Sequence, residues 1–467
     1  MNFDIDTYPY IKILKSVCDF YKVKLYLVGG AVRDSILNRS ISDFDFLVEE
    51  KIDDIAETFA QEINKKFILF NKEIKIFRFV LQNCTIDIAQ LYPSTIETEL
   101  QRRDFTIDSV AIDLDTKVLI DPLNGISDIE NRIVRFSNPN IFKDDPVRLI
   151  RLFRIAAQLK FDIDKKTLEQ AKNNLSLIKN ISADRITQEL EKFFIINDTF
   201  SYVLLIDRIG LLDELFEDFA YQNGCMQSES HLYDVKAHSL AVYNFVEWSI
   251  LRMKRILGEN CFVNYYGYYK LHRKELIIAL KLAALFHDCS KPFVKQINNN
   301  TISFKNHEAY SATIFKKYIK KYNFQKKIAQ MTIFLILNHI EPAYLFLKWK
   351  NNNLTDDLLY DFFDKFQIHG VDLLIFGLSD TLAKGKIRMV NREVFIDFLK
   401  DMTCFYFERY LNFLRIPKIL EANDLLKLGL KNADLGKSLK LIRKNTFLQN
   451  IKTKEEALAF ARQFLSE

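Results

Sequence analysis

A strand that breaks at a Gly-Gly turn and is followed by two aspartates on the next strand constrains this chain more than any other feature. Lys24-Leu-Tyr-Leu-Val28 reads as a strand, Gly29-Gly30 as a turn, and the residues through Asp34 as a short helix. Such a turn presents backbone N–H groups at a helix N-terminus, a setting suited to phosphate, and Arg33 adds a charged donor. Ser42-Asp-Phe-Asp-Phe-Leu-Val48 then reads as a strand. Its period of two puts Asp43 and Asp45 on one face, roughly 7 Å apart at Cα, with Phe44 and Phe46 on the other. Two carboxylates so placed can hold two divalent ions about 4 Å apart, one to activate a hydroxyl nucleophile and one to bind a triphosphate and its leaving group. Asp87, in Thr85-Ile-Asp-Ile-Ala89, is a candidate third carboxylate on the same ions.

Residues 1–140 read as α+β: a helix near 8–20 and strands near 24–28, 43–48, 66–70, 74–81, 84–90, 105–113 and 117–120, with Gln82-Asn83 as a hairpin turn. From about 144 the pattern is helical nearly to the end. Only 12 Gly and 8 Pro interrupt a chain of 467 residues that carries 40 Phe and 20 Tyr, so long helices with a large apolar core are expected. No apolar run approaches the roughly 20 residues of a membrane helix. The start, MNFDIDTYPY, lacks a basic stretch followed by an apolar one, and the six cysteines form no CxxC pair. Reduced thiols in a cytoplasmic protein are the expectation. A net charge of +5 is too weak to establish nucleic-acid binding. The lysine pairs 316–317, 320–321 and 326–327 fit a solvated helix face or an RNA contact.

The Gly-Gly and DFDF segment resembles the head of the class II tRNA nucleotidyltransferases and bacterial poly(A) polymerases. Further segments resemble that family in the family's own order: Arg102-Arg-Asp-Phe-Thr-Ile-Asp108, Asp121-Pro-Leu-Asn-Gly125 with Asp128, Asp144-Asp-Pro-Val-Arg-Leu-Ile-Arg-Leu-Phe-Arg154, Ser182-Ala-Asp-Arg-Ile-Thr-Gln-Glu-Leu190 and Asn423-Asp-Leu-Leu-Lys-Leu-Gly-Leu430. The resemblance implies a polymerase-β-like head at 1–140, a helical neck at 141–224, an HD-like helical body at 225–400 and a tRNA-binding helical tail at 401–467. It also implies Mg2+ at Asp43 and Asp45, nucleotide contacts from Gly29, Gly30, Arg33, Arg103 and Asp104, and transfer from CTP, with ATP as a further donor, to the 3′ end of tRNA.

Asp145 and Arg148 are three apart and, on a helix, would share a face. A carboxylate accepts and a guanidinium donates, which matches the pairing edges of cytosine and adenine and opposes those of uracil and guanine. Arg151 and Arg154 drift off that face and are expected to approach the triphosphate or to brace the fold. Only Ile88 to Gln101 join the strand of Asp87 to Arg102-Arg103, where family members that add the terminal A carry a flexible polar loop. The shortening resembles CC-adding enzymes; complete CCA addition and poly(A) synthesis stay open. Asp108-Ser109 stands where the family has Asn-Ala.

A second constellation, His238, His287-Asp288, His307, His339 and Asp380, resembles the HD phosphohydrolases. Imidazole and carboxylate ligands suit Mn, Fe, Ni, Zn or Mg. His369 fits that spacing poorly and reads as structural. A metal-dependent phosphohydrolase with a nucleotide-sensing head is therefore the rival to the transferase.

Overall fold

The computed structural model describes residues 7–71, 75–91, 95–227, 231–299, 301–385, 392–430 and 432–463. The chain divides into two compact units, one of residues 1–196 and 204–215, the other of 197–203 and 216–467.

The first unit is built on a seven-stranded mixed sheet in the order β3-β4-β5-β2-β1-β6-β7. Its strands are β1 (Leu25–Val28), β2 (Asp43–Val48), β3 (Ile68–Asn71), β4 (Ile76–Val80), β5 (Thr85–Gln90), β6 (Ala111–Asp113) and β7 (Leu119–Ile120). Only β2 and β5 run parallel; every other neighbouring pair is antiparallel. Helices α1 (Pro9–Tyr21) and α3 (Ile52–Glu62) cover one face. Their apolar sides, with Ile11, Leu14, Ile55 and Phe59 buried, meet Phe44, Phe46, Phe79 and Ile86 of the sheet. That burial fixes the register of β2: a slip of one residue would put both aspartates into the core. The opposite face carries the polar site.

Seven stretches read as strands, and a five-stranded mixed sheet is the expectation for the head; all seven contribute to one sheet, whose edges β3 and β7 are only four and two residues long. The stretch read as one strand over 105–113 splits into a single 3-10 turn, Thr106–Asp108, and β6.

The second unit is helical, with His238 on Val235–Ile250, the helical stretch Glu259–Phe286, kinked at His272, leading into His287, and Asp380 on His369–Ala383. The expectation of unbroken helix fails at an antiparallel hairpin, Lys295–Asn298 with Thr301–Phe304. Its alternating exposed and half-buried residues are too few for a periodicity to stand out.

Candidate active site and a second metal-ligand cluster

Gly29 caps α2 (Gly30–Ile36) at φ 73° and ψ −139°, a conformation open almost only to glycine. A Cβ there would lie 2.5 Å from Arg103 Nη1 and 3.5 Å from Asp45 Oδ2. The turn, the Arg103 guanidinium and the Asp45 carboxylate therefore touch. Pairing of Val28 with Asp45, and of Asp45 with Asp87, aligns three strands beside that turn. Asp43 is exposed and accepts hydrogen bonds from Ser42 Oγ at 3.0 Å and from Thr85 Oγ1. Asp45 is half-buried; burial pushes its carboxyl upward, Arg103 pulls it down, and Asp87 adds to the rise. Asp45, Asp87, Arg102, Arg103 and Arg148 line a cavity of about 760 Å3.

Three candidates are held differently from expectation. Arg33 is 7% exposed, with Nη1 on Asp108 and Nε on Asp34 at 3.0 Å, so its guanidinium braces the helix instead of facing a ligand. Burial drives the Asp108 carboxyl upward against the pull of Arg33. Asp87 shares the aspartate face, but Arg78 grips both its oxygens, at 2.8 and 2.6 Å. Its service as a third metal ligand would require sharing those oxygens. Asp145 and Arg148 do not share a helix face. Asp145 is extended, after the short helix Ile141–Asp144, and the helix Arg148–Leu159 begins only at Arg148. Pro146 explains the break, because the residue before a proline avoids helical geometry.

The two residues still meet at one cavity of about 270 Å3, which Arg103, Asp104, Arg151 and Arg185 also line. Asp145 Oδ2 takes Arg185 Nη2 at 2.6 Å, while Arg148 donates to the carbonyls of Arg102 and Ile141 at 3.2 and 3.4 Å. Arg151 Nε lies 2.6 Å from Asp104. Arg154 joins Glu189 at 2.5 Å and so ties its helix to Ala183–Phe194. Strand β5 ends at Gln90 and α4 (Ile96–Gln101) starts after five intervening residues, of which 92–94 lie outside the described residues.

In the second unit all six predicted ligands converge. His238 Nε2 lies 3.0 Å from Asp380 Oδ1 and 3.3 Å from His287 Nε2. His307 Nε2 lies 3.1 Å from His339 Nε2 and 3.3 Å from Asp288 Oδ1. His238, His287 and Asp380 form one three-ligand group, and Asp288, His307 and His339 another. The Nδ1 atoms of His287, His307 and His339 face the carbonyls of Ala284, Phe304 and Ile336 at 3.2, 2.9 and 2.7 Å. Each Nδ1 must carry the proton, which leaves Nε2 lone pairs pointing at one another. Nε2 atoms and carboxylates converging at this distance are a donor set suited to a cation. Burial and the neighbouring His287 push His339 down to about 3, which keeps it neutral. Against burial, His287 and Lys291 hold Asp288 well below the usual carboxylate range.

Three known families match parts of the chain. Residues 25–135 match the poly(A) polymerase head domain, 160–222 the probable RNA and SrmB-binding site of polymerase A, and 235–367 the HD domain. The chain therefore carries a segment that matches the poly(A) polymerase head and another that matches the HD domain. A CC-adding tRNA nucleotidyltransferase of Geobacter sulfurreducens is 32% identical over 193 residues, 41% of this chain and 45% of that one. A CCA-adding enzyme of Lactobacillus helveticus is 33% identical over 180 residues, 36% of this chain and 45% of the relative. These matches span less than half the length of the relatives. A CCA-adding enzyme solved with ATP superposes with a TM-score of 0.65 over 99% of this chain and 96% of its own, at 19% identity, which shows a shared fold.

Four residues beside the two sites escape sequence reasoning. Arg185 of the helix Ala183–Phe194 reaches Asp145 across 40 positions, and Arg78 grips Asp87 from β4. In the HD domain, Lys291 sits 2.6 Å from Asp288 Oδ2, and the His231 ring lies 5.1 Å from that of His238. Lys291 had a readable signal, since it lies three residues after Asp288, within one turn. The others come together only through the tertiary fold. His369, read as structural, bonds Asp372 at 3.1 Å beside Tyr268, away from the six ligands.

Proposed function

We propose that this chain adds C residues to the 3′ end of tRNA without a nucleic-acid template, drawing on CTP and releasing pyrophosphate. The observation that carries the reading is the contact of the Gly29 turn, Arg103 and Asp45 on the strand that also bears Asp43. Phosphoryl transfer asks the protein for position and charge, not for covalent chemistry. The turn N–H groups and Arg103 orient the triphosphate. Asp43 and Asp45, one exposed and one half-buried, suit Mg2+, which keeps several waters and takes one or two carboxylates with substrate phosphates. Bound there, the ions would lower the pKa of the RNA hydroxyl and neutralise the leaving group. Asp104 holds Arg151 beside the site and Arg154 braces the neck.

Base choice rests on the cavity shared by Asp145, Arg148 and Arg185. The carboxylate accepts from the amino group of C or A, and a guanidinium donates to the ring nitrogen. U and G leave these groups unpaired, at about 1–3 kcal/mol each. The short link from β5 to α4 supports CC addition, because little chain is available to rearrange the pocket for A. The deciding assay gives tRNA lacking CCA each labelled nucleotide alone and with CTP. Two C and no A are expected; efficient A after CC, or long A tails on any RNA, overturns the specificity. In the same assay, Arg185→Ala should raise misincorporation of U and G relative to C, and an unchanged ratio removes Arg185 from base reading.

The HD cluster favours a second activity on the same chain, hydrolysis of phosphate esters such as 2′,3′-cyclic or 2′-phosphates at damaged RNA ends. Its six ligands suit two divalent ions, which His238, His287 and Asp380 on one side and Asp288, His307 and His339 on the other would hold, with Lys291 as a nearby cation. His287→Ala should remove the metal held by the six HD ligands and any phosphodiesterase activity while C addition persists. Full metal content in that variant would refute the assignment.

A further inference from the structure

Away from both sites, the second unit brings two cysteines and a glutamate together. Cys261, near the start of the helix Glu259–Phe286, and Cys404, the last residue of the helix Arg392–Cys404, place their Sγ atoms 3.1 Å apart. Glu408 lies four residues after Cys404, one turn on, where the helix widens into the π-helical segment Phe405–Tyr410. Such widened turns are frequent at functional sites. One ligand atom from each of the three residues lies within 4.8 Å of the others. Cys261 is buried, Cys404 half-buried and Glu408 exposed. Cys404, Glu408 and Asp401 line an open cavity of about 890 Å3.

We propose that Cys261, Cys404 and Glu408 bind a thiophilic divalent ion of the Zn2+ class, with the fourth coordination position open to this cavity. Two thiolates and a carboxylate are the donor set such an ion prefers, and three protein ligands with one free position mark an accessible site. A tetrahedral ion with metal–sulfur bonds of about 2.3 Å holds its sulfurs about 3.8 Å apart, so the pair opens by a fraction of an ångström. The surroundings are electronegative. Burial, the second thiol, Glu408 and Asp401 together push the Cys404 thiol up to about 12. Each thiol gives its proton to solvent as its metal–sulfur bond forms, and no oxidant or reductant is needed.

Co2+ tests this against the HD cluster, because only thiolates give the intense near-ultraviolet charge-transfer band. The reduced, metal-stripped full chain is titrated with Co2+. The band is expected to saturate stoichiometrically in wild type and in His287→Ala. It should vanish in Cys261→Ser and in Cys404→Ser. Glu408→Gln, an exposed change that leaves the core intact, should weaken Co2+ binding about tenfold or more. Absence of the band from reduced wild type overturns the site, as does its survival in the double Cys→Ser variant. Loss of both thiols in air to a disulfide, with no Co2+ band after reduction, assigns the pair to redox chemistry and also overturns it.

Discussion

Asp45→Asn should lower C incorporation by about 10^3-fold or more, roughly 4 kcal/mol of transition-state stabilisation, while stability holds or rises. Asparagine keeps the shape of the side chain and removes the charge that would anchor the ions. The stability side follows from the ionisation of Asp45. Burial raises its carboxyl above the usual value. A folded pKa above the unfolded one means that the ionised form costs stability at neutral pH, and that the cost lifts as pH falls toward the unfolded value. A neutral amide removes that cost. Activity lost with no loss of melting temperature is the pattern of a group kept for chemistry. Retention of more than about a tenth of the activity, or a melting temperature that falls with the activity, would count against Asp45 as a metal anchor. The HD metal content, carried by residues of the other unit, should stay unchanged and serves as the internal control.

The second large effect is on folding. Glu247 is 4% exposed and accepts from Lys281 Nζ at 2.7 Å, from Thr199 N at 2.7 and 2.8 Å, from Thr199 Oγ1 at 2.7 Å and from Phe200 N at 2.8 Å. Its carboxylate therefore holds the first N–H groups of the helix Phe200–Ile209 and neutralises Lys281, which is 0% exposed. Glu247→Ala leaves that ammonium without its carboxylate in the core of the second unit. The expected loss is about 3–5 kcal/mol in chemical denaturation. Replacing both partners by leucine should recover part of it, because the stranded charge is gone while the Thr199 and Phe200 N–H groups still lack their acceptor. A loss below about 1 kcal/mol in the single variant would show that the buried ammonium does not depend on Glu247.

Strand β2 shows how much a local pattern can carry. Its alternation of acidic and aromatic residues assigned Asp43 and Asp45 to one face and the phenylalanines to the core, and the fold agrees because burial of Phe44 and Phe46 leaves no other register. The six residues of the second cluster were legible through their order, which resembles the HD phosphohydrolases, and the fold brings them together. Asp145 and Arg148 mark the opposite case. Their spacing of three suggested a helix face, but Pro146 ends one helix and a new one starts at Arg148. Local backbone preference overrode the periodicity, and a cavity rejoins what the helix does not.

Chemistry-bearing residue types, their order and the alternation of strands are properties of the chain itself, because burial of apolar faces sets register without reference to distant partners. Which carboxylate each arginine meets was decided only by the tertiary structure. Arg33 turned inward to Asp108, Arg78 took Asp87, and Arg185 reached Asp145 across 40 positions. The Cys261–Cys404 contact spans 143 positions. A flexible charged side chain chooses its partner by desolvation and proximity, and neither exists until the helices and sheet have packed.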